Sequence, residues 1–80
     1  MIEEIKKTTY KFTQRIAKGE DAHGEYLNWF ASLPAEFKDY ARNVYEIFEQ
    51  LSFGHISVED AKIKWFKITA ELKEVNRHDG

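Results

Sequence analysis

The chain has 80 residues, a net charge of -2, two Trp, four Tyr and six Phe, which reads as one domain whose aromatic residues enlarge a core near the lower size limit for a single one. It contains no cysteine, so disulfides and thiolate metal sites are excluded. No apolar run approaches the ~20 residues that span a bilayer and no signal-peptide core follows Met1, so the expected setting is a reducing cytoplasm.

The first segment carries Ile2, Ile5, Thr9, Phe12 and Ile16 at spacings of three and four. That spacing predicts a helix over 2–18, closed by Gly19 as a left-handed cap. The stretch Glu20-Asp21-Ala22-His23-Gly24 is a turn, with Asp21 as the expected N-cap of a short second helix over 21–32. Tyr26, Trp29, Phe30 and Leu33 would face inward from it.

Pro34 ends that helix and suits the first position of the next, where its missing N–H costs nothing. The third helix, over 34–52, carries Phe37, Ala41, Val44, Phe48 and Leu51, widened by Tyr40 and Ile47. Phe53-Gly54-His55 breaks it, and Ser57 with Asp60 three residues on caps a last helix over 57–75. Asn76 to Gly80 reads as a frayed tail. The predicted fold is all-α: one compact bundle of three long helices and a short one.

The last helix carries more apolar surface than folding requires. Val58, Ala61, Trp65, Ile68, Leu72 and Val75 make one stripe at ~100° per residue, and Ile63, Phe66 and Ala70 make another on the far side. Lys62, Lys67, Lys73, Glu59 and Glu74 border this second face, giving it an apolar centre and a polar rim. Either the bundle hides Phe66 or another protein covers it.

Charge is unevenly distributed: five bases stand against two acids in residues 1–19, nine acids against two bases in 20–60, and five bases against three acids thereafter. The terminal helices can therefore pair favourably with the middle ones, although exposed pairs contribute only ~0–1 kcal/mol each. Within the first helix, Lys7, Lys11, Arg15 and Lys18 lie within ~80° of one another opposite the apolar stripe. Such a stripe could meet nucleic acid or an acidic partner. The acidic whole, the lack of Asn or Gln in the stripe and the absence of an obvious helix-turn-helix pair argue against DNA.

Catalytic and metal constellations are weaker. Glu46 and Glu49 share a helical face with nothing apolar to raise a carboxyl pKa. Glu20 and His23 have the E-x-x-H spacing of di-iron bundles, but in one copy where two are needed. Gly54-His55-Ile56-Ser57 follows Glu49, Leu51 and Phe53 where a calcium loop needs oxygen ligands, and His55 suits a half-exposed loop position. No Ser/His/Asp or Cys/His set can be assembled, since there is no Cys and the Ser residues sit in caps or helices. With no enzyme, cofactor, metal, membrane or small-molecule substrate indicated, the chain resembles small bacterial or phage accessory proteins that act by binding. The expected function is a non-catalytic protein-interaction module, an adaptor or inhibitor, using Ile63, Phe66, Ala70 and Lys67 to bind another protein or a second copy of itself. The alternative is a nucleic-acid-associated protein using Lys7, Lys11, Arg15 and Lys18.

Overall fold

The three-and-four spacings become helices in the computed structural model, which describes residues 1–72. They are α1 (Ile2–Ala17), α2 (His23–Ala31), α3 (Lys38–Ser52) and α4 (Val58–Ala70), with a short 3-10 turn, Ala35–Phe37, leading into α3. Among the described residues there is no strand, and no helix is long and apolar enough to cross a membrane. Lys73, Glu74, Val75 and the expected tail lie outside the described residues.

Local chemistry sets the ends. Gly19 adopts φ +94°, the left-handed conformation a side chain would strain, and closes α1 as expected. Ser57 Oγ accepts the N–H of Asp60 at 3.0 Å and starts α4. The expected cap of α2 is corrected: its N-cap is Ala22, and Asp21 turns its carboxylate to the His23 ring instead. Pro34 does not open α3 either. Its ψ of 149° is extended, and the chain makes the 3-10 turn before the α-helix begins at Lys38. Helix α4 stops at Ala70, short of the 57–75 expected.

Ile16, His23, Leu51 and Val58 line one corner pocket, so the end of α1, the start of α2, the end of α3 and the start of α4 meet there and the helices alternate in direction. The core takes Ile2, Ile5, Phe12 and Ile16 from α1, Tyr40, Ala41, Val44, Ile47 and Phe48 from α3, and Ala61 and Trp65 from α4. Tyr26 of α2 inserts between Phe12 and Phe48, with ring centroids at 5.0 and 4.7 Å in edge-on geometry. Its hydroxyl donates to the Ala41 carbonyl at 2.8 Å. Trp29, Phe30 and Leu51 are only half-buried, and Val58 is exposed because it stands in the first turn of α4, facing the open corner.

The core also holds a closed polar cluster. Thr9 Oγ1 lies 3.0 Å from the Lys6 carbonyl, 2.9 Å from the Tyr40 hydroxyl and 2.9 Å from Trp65 Nε1, while the Tyr40 hydroxyl lies 2.8 Å from Thr69 Oγ1. One assignment satisfies every member: Thr9 donates to Lys6, Trp65 and Tyr40 donate to Thr9, and Thr69 donates to Tyr40. Three helices are thereby tied at one point, and burial raises the Tyr40 pKa above its ordinary value.

Candidate functional site

Helix α4 meets the core through Ala61, Trp65 and Thr69, which lie on one side of its wheel. Phe66 is one residue, or ~100°, further round, and it is not covered: it is 58% exposed and Ile63 53%. Ala70 and Lys67 are exposed as well. Three residues of the predicted partner face, Ile63, Phe66 and Ala70, are thus an open apolar surface.

Phe66 does not stand alone. Its ring packs edge-on against Trp65 at 5.0 Å and tilts toward Tyr10 at 6.4 Å, and Tyr10 in turn lies 4.9 Å from Trp65. These three rings floor a surface groove of about 510 Å³ between α1 and α4, whose remaining lining is Glu3, Lys6, Lys7, Lys11 and Gln14. Two of the four cations of the predicted basic stripe, Lys7 and Lys11, therefore border the same groove as Phe66. Half of the basic stripe and Phe66 of the apolar face, separate along the sequence, thus adjoin in one groove. Ile63 and Ala70 extend its apolar wall around α4, and Lys62 lies one turn before Phe66.

The other half of the stripe is lost. The Arg15 guanidinium points away from the groove and binds Glu25, with Nη2 to Oε1 at 2.8 Å and Nη1 to Oε2 at 3.1 Å, and also Glu20, with Nε to Oε2 at 2.8 Å. These bonds from Arg15 hold both carboxyls below the usual range. Arg15 is a tether between α1 and α2, and a phosphate contact would have to displace two carboxylates. Lys18 is exposed beyond the end of α1. Among the described residues, Lys6, Lys7 and Lys11 make no ion pair.

The E-x-x-H spacing assembles nothing, since Glu20 serves Arg15 and the nitrogens of His23 face other groups. Among the described residues no cluster of three or more His, Asp or Glu is placed to hold a metal ion. His55 is exposed beside the Phe53 ring, at 5.8 Å between centroids.

The expectation that no Ser/His/Asp set assembles is corrected, because α2 folds back on the end of α3 and brings distant residues together. His23 lies with Nε2 2.9 Å from Ser52 Oγ and Nδ1 3.1 Å from Asp21 Oδ1, so a Ser/His/Asp chain does form, across residues 29 positions apart. Its surroundings differ from those of a hydrolase. A buried Asp is what holds an imidazolium during acyl transfer, and the side chain of Asp21 is 91% exposed. The ring is instead packed edge-on against Tyr45 and Phe48 at 5.9 and 6.3 Å. The chain reads as a latch that ties the start of α2 to the end of α3.

No protein-family model matches the chain, and no curated protein or solved structure matches it.

Proposed function

We propose that this protein is a non-catalytic protein-interaction module, an adaptor or inhibitor, that binds through the groove between α1 and α4 and the adjoining α4 face of Ile63, Phe66 and Ala70. The observation that supports the reading is the exposure of Ile63 and Phe66 side by side on a helix that already supplies Ala61, Trp65 and Thr69 to the core. Isolated exposed apolar residues are ordinary on protein surfaces. A cluster with an aromatic floor and a charged rim has the anatomy of a contact surface. A nucleic-acid role for Lys7, Lys11, Arg15 and Lys18 is the weaker reading, because Arg15 is already occupied by Glu20 and Glu25.

Site-specific photocrosslinking in the cells that produce the protein tests this. p-Benzoylphenylalanine at position 66 should give one discrete protein adduct, and at Glu46, on the exposed face of α3, none. An adduct at twice the chain mass would identify a second copy as the partner. No adduct at position 66, or equal adducts at both positions, would sink the reading.

A further inference from the structure

We infer that the partner segment seated in the α1/α4 groove is an amphipathic helix whose apolar stripe is flanked by acidic residues. This rests on the groove being an interaction surface and adds the chemistry of its occupant. Two antiparallel helices meeting over an apolar floor suit the helix-in-groove mode, in which residues at spacings of three and four pack onto that floor. The floor formed by Tyr10, Trp65 and Phe66 receives the apolar stripe.

Charge selects the rest. Three lysines, Lys6, Lys7 and Lys11, stand on the α1 side against Glu3 alone, and among the described residues none of the three is neutralised by an ion pair. A partner bringing carboxylates to this rim is attracted and oriented, and one bringing lysines is repelled. The same rim disfavours a two-fold dimer through this face, because such a contact sets the same net-positive patch of both copies against each other. Single-stranded nucleic acid is also attracted to lysines, but it needs successive exposed rings on which bases stack. Here Trp65 is buried and Tyr10 half-buried, leaving Phe66 as the one freely exposed ring of the floor.

The test uses two fluorescein-labelled helical peptides with the same leucine stripe, one flanked by glutamate and one by lysine, read by fluorescence anisotropy at low salt. The glutamate peptide should bind about tenfold or more tightly than its counterpart, and the gap should narrow as salt screens the rim. Phe66→Asp should weaken glutamate-peptide binding about tenfold, and Lys7→Glu with Lys11→Glu should reverse the preference, with circular dichroism unchanged in both variants. Equal affinities, a preference for the lysine peptide, or no saturable binding of either overturns the inference. So does binding of a labelled oligothymidylate that Phe66→Asp abolishes while the glutamate peptide stays unbound. Concentration-dependent self-association in sedimentation, lost in Phe66→Asp, would show a second copy in the groove and also overturn it. If crosslinking at position 66 gives a discrete adduct and the glutamate peptide does not bind, the acidic helix fails and the interaction module survives. If both fail, the module falls too.

Discussion

Trp65 and Phe66 are neighbours on one helix, alike in bulk and chemistry, yet one is 7% exposed and the other 58%. A step of ~100° round α4 separates them, and in a bundle of this size only one face of a helix can reach the core. Trp65 spends its ring on packing and its N–H on Thr9. Phe66 packs against that ring and beside Tyr10, and the rest of it meets solvent. The contrast teaches that the aromatic content of this chain divides into rings that hold the fold and rings available for other work. Each division can be tested by what its loss does to stability.

The largest effect belongs to Trp65. Trp65→Ala leaves a cavity between three helices and should destabilise the fold by about 3–5 kcal/mol, a large share of the ~5–15 kcal/mol typical of a domain. Phe66→Ala should cost far less. Urea unfolding of the two variants side by side checks the contrast, and similar losses would break it.

A smaller effect separates the ring of Trp65 from its N–H. Thr9→Val keeps the shape of the side chain but removes the acceptor, leaving the buried indole N–H unpaired, so about 1–3 kcal/mol should be lost. In a Trp65→Phe background no N–H remains to be orphaned. The same Thr9→Val change should then cost less, and full additivity would show that the bond from Trp65 to Thr9 contributes nothing.

Two buried tyrosines, Tyr40 of that cluster and Tyr26, predict a pH dependence at the alkaline end. Burial raises the pKa of Tyr26 and of Tyr40 above the ordinary value near 10.0. Above about pH 10 the unfolded chain therefore releases tyrosine protons that the folded chain keeps. With fewer protons bound in the unfolded state, stability is full below that pH and falls as pH rises through it. Urea midpoints measured from about pH 8 to pH 11 should show the decline, and Tyr40→Phe should flatten it. An unchanged slope would remove Tyr40 as a contributor and leave the decline to Tyr26.

Much of this architecture was legible in the sequence, because packing obeys the same three-and-four spacing that marks a helix. Ile5, Phe12, Val44, Phe48 and Ala61 are buried as expected, and Gly19 and Ser57 act as the punctuation they resemble. What spacing could not supply was adjacency between helices. Lys7, Lys11 and Arg15 share one face on a wheel, but the packing of α4 and α2 on either side of α1 gives the two lysines to the groove and Arg15 to Glu20 and Glu25. The latch from Asp21 through His23 to Ser52 was hidden for the same reason, since it exists only once α2 folds back against the end of α3. Asp21 is a good cap by type, yet a His two residues on competes for its carboxylate.

The smallest effect is the most informative about the groove. Phe66→Asp puts a charge where the ring stands, and in a core position that would leave an unpaired buried carboxylate and unfold a marginal domain. At an exposed position the carboxylate stays hydrated, and the loss is limited to the ring contacts with Trp65 and Tyr10. The melting midpoint and the urea midpoint should therefore move little, by less than about 1 kcal/mol in stability. A loss as large as that of Trp65→Ala would make Phe66 part of the core, erase the difference between the two neighbours, and leave the groove without its apolar wall.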